Sequence, residues 1–452
     1  MELLWTDQCF LSVLLISLII SLISLRKRHI RRAFQRILHR PLAVSAGIVL
    51  LFFLIIGIMD SIHLTSRAID ENTELSTIQN NSILDRLLAP LGSTYEKTYS
   101  APLALNLYSS ETVLVKGSAQ QIYPRLKYPP LVIKNDTIKH QFIAQKVYQA
   151  LLLSLLIAGV LWLAVVIVKG LRFKKLQFTL TSSGLSALIS LFVCVFVIFA
   201  SYRISRDLHL LGTGKIGQDI FYYTVKSIRT GLIIGILTTL FMLPLALLLG
   251  ISAGYFGGWI DDIIQYVYIT LSSIPGVLLI TASVLSMQTY IANHPQQFST
   301  LSKSADARLL ALCLILGVTS WTSLCRLLRA ETLKLREIDY VLAARALGSS
   351  SLTILRKHLL PNVMHIILIT LVLDFSFLVL AEAVLSYVGV GVSPMTISWG
   401  NMINGARLEL ARDPIVWWPM LSAFACMFIL VLASNLFADA VRDAFDPHHS
   451  TG

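Results

Sequence analysis

From Leu176 to Tyr202 the chain runs 27 residues without a single Asp, Glu, Lys or Arg. A bilayer core about 30 Å thick is crossed by roughly 20 such residues in a helix, so this block is a membrane span. The same criterion gives nine spans, at approximately 8–25, 41–60, 147–168, 178–201, 230–251, 263–287, 309–325, 363–389 and 414–438. Charged residues make up 14% of the chain, against about 25% in soluble domains, and hydrophobic residues 55%. An ordinary cytosolic enzyme is excluded, and the class is an all-α polytopic membrane protein with about nine transmembrane helices. The first block is preceded by acidic residues, Glu2 and Asp7, and no small-residue cleavage site follows, so it is expected to stay as an anchor. Pro244 and Pro275 are expected to kink the fifth and sixth spans. Cys9, Cys194, Cys313, Cys325 and Cys426 are scattered without metal-ligand spacing and read as packing residues.

Orientation follows from Lys and Arg in the short connections, which are retained on the cytoplasmic side. Arg26, Lys27, Arg28, Arg31, Arg32, Arg36 and Arg40 lie between the first two spans. Lys169, Arg172, Lys174 and Lys175 lie between the third and fourth, and Arg326, Arg329, Lys334, Arg336, Arg345, Arg356 and Lys357 between the seventh and eighth. All three clusters fall on one side, which puts the N-terminus outside and the C-terminus inside. The formal net charge of +12 is thus a topology signal and gives no reason to invoke nucleic acid. One connection opposes the pattern. Residues 203–229 carry Arg203, Arg206, Lys215, Lys226 and Arg229, opposed by only Asp207 and Asp219, yet are placed outside.

Residues 61–146 are too long for a tight connection. Pro129 and Pro130, with short apolar runs at 112–115 and 131–133, predict a small irregular or strand-containing segment on the outer face. The expected organisation is an anchor helix and basic segment at 1–40, a helix at 41–60, the outer segment at 61–146, two helices within 147–202, a transmembrane domain at 203–447 and a tail at 448–452. No internal repeat is evident.

The stretch 326–362 is too polar for lipid and too apolar for a plain linker. From Glu331 to Leu347 it consists of good helix formers; Gly348 with Ser349, Ser350 and Ser351 supplies a break and fresh caps; Leu352 to Leu360 resumes helical composition until Pro361. Two short helices with a glycine hinge, lying along the membrane surface, are expected. An interfacial amphipathic helix without a partner fits the same pattern.

Tyr340-Val-Leu-Ala343-Ala344-Arg-Ala-Leu-Gly348, followed by His358-Leu-Leu360-Pro361-Asn362, resembles the EAA loop of ABC importer permeases. The Ala-Ala to Gly to Leu-Pro spacing of that loop is matched in full; Leu342 stands where the family has Glu, and His358 where it has Ile. Gly212-Thr213-Gly214-Lys-Ile-Gly217-Gln218-Asp219 is similar to a Gly-Thr-Asp-x-x-Gly-Arg-Asp segment of the dipeptide/oligopeptide/nickel permeases, with Gly214 for Asp and Gln218 for Arg. Ala253 to Trp259, Glu382 to Val392, Ser398-Trp399-Gly400 and Arg442-Asp443-Ala-Phe-Asp446-Pro447 resemble further segments of that family, in family order. On these motifs 203–447 resembles the second permease subunit type. The resemblance implies a six-helix permease core whose first helix corresponds to 41–60, with the other N-terminal spans and 61–146 as additions.

The resemblance also implies ATP-driven import into a bacterium across its inner membrane. The phosphate-cradling GxxxxGK[ST] loop is missing: Gly212-Thr213-Gly214-Lys215 is followed by Ile216. Hydrolysis, with its ATP and Mg, is therefore expected on two separate ATPase subunits. This chain is expected to be no enzyme and to hold no cofactor or metal. A second homologous permease chain, a periplasmic solute-binding protein and membrane lipid complete the expected partners. Coupling to the ATPase, in the 331–362 loop, is expected to rest on Ala343 and Ala344, which keep a face thin, on Gly348, which permits a turn and close approach of backbones, and on Leu360 and Pro361, which end the element before the next span. Gly212, Thr213, Gly217 and Asp219 mark the periplasmic motif.

Charged side chains inside a span are costly and hence functional candidates. Asp374 lies 11 residues into the eighth span, about 16 Å along the helix, and Glu382 about 12 Å further. Either lines a translocation path or is shielded against the partner permease. An ion-coupled secondary transporter is the alternative; it predicts inverted repeats and intramembrane carboxylates in both halves, whereas the assigned ones are confined to the eighth span. A membrane scaffold would explain hydropathy but not the EAA-like loop. His448 and His449 read as part of a tail. Di- or oligopeptides and related small solutes are the substrates the resemblance implies.

Overall fold

The computed structural model describes residues 4–24, 26, 28–69, 76–115, 118–133, 135–173, 181–296, 298 and 300–445. Asp446, Pro447, His448 and His449 lie outside the described residues, as do Lys27, Lys174 and Lys175. In chain order the elements are α1 (Trp5–Ser24), α2 (Arg28–His39), α3 (Pro41–Ser61), β1 (His63–Ile69), β2 (Ser76–Ser82), α4 (Ile83–Leu87), α5 (Ala89–Ser93), β3 (Glu111–Val115), β4 (Ser118–Ile122), α6 (Asp136–Phe173) and α7 (Ser182–Ser205). There follow α8 (Ile220–Phe256), α9 (Gly258–Ser273), α10 (Gly276–Asn293), α11 (Leu301–Arg336), α12 (Asp339–Ala346), α13 (Ser351–Ile354), a π turn (Leu355–Leu359), α14 (Leu360–Val388), α15 (Trp399–Ala406) and α16 (Trp418–Phe445).

Nine helices among the described residues are long and apolar enough to cross a membrane: α1, α3, α6, α7, α8, α10, α11, α14 and α16. The chain is an all-α polytopic membrane protein. α6, α8 and α11, at 38, 37 and 36 residues, are far longer than their apolar blocks. At 1.5 Å per residue each exceeds the about 30 Å bilayer core by some 25 Å, so their ends stand in water and carry polar sequence. The expected sixth span, 263–287, is in fact two helices. Ile274 is extended (φ −87°, ψ 130°) and α10 starts after Pro275. The proline ring disfavours a helical residue before it, so the chain breaks where a kink was expected. Pro244 lies inside α8 without ending it.

One compact unit is built from 35–230 and 397–433. In it α3, α6 and α7 pack together. Of the two short apolar runs, 112–115 falls in β3, which pairs antiparallel with β4, whereas 131–133 is a turn with Ile133 buried. Leu84, Leu88 and Leu91 pack on Ile56 and Met59 of α3 and on Tyr202, Phe221 and Tyr222. Tyr99, Ile220, Val416 and Trp418 form a second cluster. Residues 84–133 and 203–222 therefore share one side. Within this packing Lys226 Nζ lies 2.5 Å from Asp85, Lys146 pairs with Asp207 at 3.0 Å, and Arg203 donates to Gln149 at 3.0 Å.

The other unit comprises 4–34, 231–396 and the chain after 434. α1 is fixed to the start of α11 by Thr6, whose backbone N–H donates to Asp306 Oδ2 at 3.2 Å and whose hydroxyl donates to Asp306 Oδ1. The core joins Met242 and Ala246 of α8, Tyr268 of α9, Trp321, Leu324 and Leu328 of α11, Val341 and Ala344 of α12, and Ile354, Leu359 and Val363 beyond it. α8 and α11 approach so closely that a Cβ on Gly254 would stand 2.6 Å from Thr332 Cβ and 2.8 Å from the Arg329 carbonyl.

Candidate functional site: the α11–α14 connection

α12 is only eight residues long and its apolar side chains point in all directions, so burial rather than periodicity sets its face. Val341 and Ala344 are buried in the core, while Leu342, Ala343 and Ala346 are exposed. The two alanines thus divide: Ala344 anchors the helix and Ala343 faces outward. Arg345 reaches back over the Tyr255 ring, 5.3 Å from its centroid. Asn362 Nδ2 donates to the Tyr340 hydroxyl at 2.7 Å and to the His358 carbonyl at 2.8 Å, which ties both ends of the connection together.

α12 ends in a Schellman turn. Gly348 has φ +78°, its N–H donates to the Arg345 carbonyl at 3.0 Å, and the Ser349 N–H donates to the Ala344 carbonyl at 3.1 Å. A Cβ at Gly348 would meet nothing within 4 Å, so within this chain glycine serves the turn and not a close approach. Ser350 then caps α13, its Oγ accepting from the Thr353 N–H at 3.4 Å. The expected stop at Leu360 and Pro361 is not found. The helix runs from α13 through the π turn into α14, with the Leu360 N–H donating to the Leu355 carbonyl. Pro361 sits in the first turn of α14, directly after the turn in which hydrogen bonding shifts to i−5 and relieves the demand for its missing N–H.

Three leucines of the connection are exposed, Leu347 at 85%, Leu352 at 74% and Leu342 at 40%, among exposed cations such as Arg345, Arg356 and Lys357. Tyr255, under Arg345, is near the end of α8, where Gly257 (φ +65°) and Gly258 (φ +54°) lead into α9. Asp261 in the first turn of α9 accepts two hydrogen bonds from Arg329, from Nε at 2.5 Å and Nη2 at 2.6 Å. That guanidinium holds the Asp261 carboxyl below the usual carboxylate range.

The Gly212 to Asp219 motif is far from this connection in sequence and belongs to the first unit. Gly212 (φ +73°) and Gly217 (φ +76°) leave no room for a Cβ, which would overlap the carbonyls of Ser100 and Glu96. Thr213 Oγ1 accepts from the Ser100 N–H at 2.7 Å and donates to the Thr98 carbonyl at 2.8 Å. Asp219 caps α8 through the Tyr222 N–H at 2.9 Å and lies 2.6 Å from His209 Nδ1. Glu96 Oε1, which accepts from the N–H groups of Lys127 and Tyr128, lies 3.7 Å from the other ring nitrogen of that buried imidazole. The motif is thus a clamp holding the segment 96–128 onto the approach to α8.

The carboxylates of α14 differ from one another. Glu382 is 3% exposed and accepts from the Ser386 hydroxyl at 2.7 Å. Gly391 packs directly on Ser386, after Gly389 (φ +88°) has closed the helix with a second Schellman turn. Asp374 Oδ2 is buried with no hydrogen-bond partner among the described residues. Outside the eighth span, Asp60, the last residue of the assigned 41–60 block, is buried and accepts from the Ser82 hydroxyl at 2.7 Å, and Asp306, which precedes the assigned 309–325 block, is buried against Thr6.

Sequence reasoning did not find Asp261–Arg329, Tyr340–Asn362 or the Glu96–His209–Asp219 group. The Gly257–Gly258 pair just before Asp261 was the available signal for the first; the last has none, because Glu96 and His209 are single polar residues in irregular chain.

Residues 246–450 match the family described as binding-protein-dependent transport system inner membrane component. The glutathione transport system permease protein GsiD of Pectobacterium atrosepticum is 32% identical over 240 residues, covering 53% of this chain and 72% of that one. The dipeptide transport system permease protein DppC of Lactococcus lactis is 31% identical over 245 residues, 54% of this chain and 65% of its own. The oligopeptide transport system permease protein OppC of Mycobacterium tuberculosis is 30% identical over 239 residues, 53% and 76% respectively. These relations do not favour the ion-coupled alternative. With its motifs and apolar spans, the chain belongs to the binding-protein-dependent inner-membrane permeases, the multi-pass transport subunits of ABC importers.

Proposed function

We propose that this chain is one of two different permease subunits of an importer for di- or oligopeptides, driven by two ATPase subunits that bind ATP and Mg. A periplasmic solute-binding protein delivers the substrate. The names of the relatives support the substrate class, and the three cation clusters support an orientation with the N-terminus periplasmic and the α11–α14 connection cytoplasmic. The observation that carries the reading is the exposure of Leu342, Leu347 and Leu352 on elements anchored by Val341, Ala344 and Ile354. Exposed leucines held in place on an otherwise polar connection call for a protein cover. With Leu where the family loop has Glu, docking here rests on apolar contact instead of a charge pair. Asp374, whose Oδ2 has no hydrogen-bond partner among the described residues, is assigned to the neighbourhood of the second permease, since such a carboxylate is costly in a membrane, and Glu382, on the same helix and bonded to Ser386, is placed near it.

The test is cross-linking in membranes that co-express all components. Leu347→Cys, in a chain lacking its five native cysteines, is expected to link to an ATPase subunit through a short bifunctional maleimide. Labelling of Leu347→Cys by a membrane-impermeant probe from outside whole cells would refute the assignment.

A further inference from the structure

The outer segment that the common permease core does not require contains a cavity of about 790 Å³, within the size range of small-ligand sites. It lies entirely in the first unit, between residues 101–125, the start of α6 and Pro414. Its apolar wall is made by Leu105, Leu107, Tyr108 and Pro414. The polar groups on its rim carry both signs of charge: Arg125 and Lys139 against Asp136, with the amides of Asn106 and Asn135 beside them.

Arg125 is pre-set. Its Nη2 donates to the carbonyls of Pro130 at 3.0 Å and Ile133 at 2.8 Å, which fixes the guanidinium plane while Nε and Nη1 make no hydrogen bond among the described residues. Lys139 has 16% of its side chain exposed and pairs with Asp136 at 2.7 Å. Asp136 is 79% exposed at the side chain, so it can accept a further donor without breaking that pair. The combination of a fixed cationic fork, a second cation, an accessible carboxylate and an apolar wall matches a small molecule that carries a carboxylate and an ammonium group on an apolar body.

We propose that this cavity binds a short peptide of zero or −1 net charge on the outer face, its carboxylate on Arg125 and Lys139 and its ammonium group on Asp136. The inference rests on the proposed peptide importer and adds to it a substrate site on the permease itself, ahead of the membrane path. α6 sets its height: Asp136 lies 11 residues before the apolar block at 147–168, about 16 Å along the helix. A ligand held there is in water and not yet in the bilayer.

The experiment uses the full chain with its companion permease in lipid nanodiscs, titrated calorimetrically with the dipeptide Ala-Glu and with its form amidated at both carboxylates, Ala-Gln amide, which keeps the ammonium group alone. Saturable binding is expected, weaker by at least about tenfold on amidation and in Lys139→Gln. Because Arg125 also braces its own loop, the cavity-filling Ala104→Trp provides the second variant: it touches no charge and should abolish binding with the thermal unfolding curve retained. Absence of saturable binding, or binding unchanged in Ala104→Trp, overturns the proposal. So does capture of a solute-binding protein by a photo-cross-linker at Tyr123 when Ala-Glu does not bind. ATP-driven peptide uptake is read separately: uptake without binding refutes the cavity alone, and binding without uptake refutes the importer reading alone.

Discussion

Substitution at Gly348 tests the coupling turn, because the position isolates backbone conformation from packing. Its φ of +78° costs an L-residue roughly 1–2 kcal/mol, and no neighbouring atom lies within 4 Å of an added Cβ to confuse the comparison. Asn tolerates this region and should lose only a few tenths of a kcal/mol; Ala should lose about 1 kcal/mol; Val, stiff at χ1, about 2 kcal/mol. At 1.4 kcal/mol per factor of ten, the population of the Schellman turn relative to its alternatives falls about fivefold in Gly348→Ala and about thirtyfold in Gly348→Val. The assay is peptide uptake normalised to the amount of chain in the membrane, with insertion expected to be intact throughout. Uptake should decrease in the order Gly, Asn, Ala, Val. Wild-type uptake by Gly348→Val, or a loss in Gly348→Asn as large as in Gly348→Val, would refute the argument.

The orientation is checked at Ser93, which is exposed at the end of α5: Ser93→Cys in a cysteine-free chain should react with an impermeant probe from outside whole cells, and reaction only after permeabilisation reverses the topology. Gly217→Ala places a methyl group into the Glu96 carbonyl at a φ of +76°, and should destabilise by more than about 2 kcal/mol, whereas Gly389→Ala, with open space around it, should cost only about 1 kcal/mol; the two melting temperatures decide. Burial alone would raise the Asp85 carboxyl, but the charge and hydrogen bond of Lys226, with the Tyr222 hydroxyl and the Ser82 N–H, hold it below its ordinary value of 3.8. Its stabilising contribution is therefore complete above that pH and lost as the pH falls through the lower folded-state value, so the acid limb of a stability–pH curve should shrink in Asp85→Asn.

The spans were legible because crossing a bilayer is a local demand: each apolar block satisfies it without knowing its neighbours. Their ends were not, since the water-standing turns of α6, α8 and α11 are polar helix, which hydropathy cannot distinguish from loop. In the connection, Gly348 and the serines after it announced the turn and the new cap. Which face of α12 turns inward was hidden, because Val341, Leu342, Ala343 and Ala344 are all apolar and only the fit to Tyr255 and Leu328 selects between them. Pro361 misled for a related reason. The rule that proline stops a helix assumes the i−4 register, and the π turn ahead of it changes that register. Glu96, His209 and Asp219 come together across 123 residues of chain through tertiary packing alone.

The unbroken passage from α13 into α14 has a mechanical consequence. α12 is jointed at both ends, at Glu337–Ile338 after α11 and at Gly348, whereas α13 has no joint on its membrane side and forms a single shaft with α14. A displacement applied to α13 would be delivered as rotation or tilt of the helix that bears Asp374 and Glu382, while α12, whose Val341 and Ala344 share a buried core with Leu328, would stay with α11. The connection behaves as a crank with one stiff arm, and the stiff arm leads to the carboxylates.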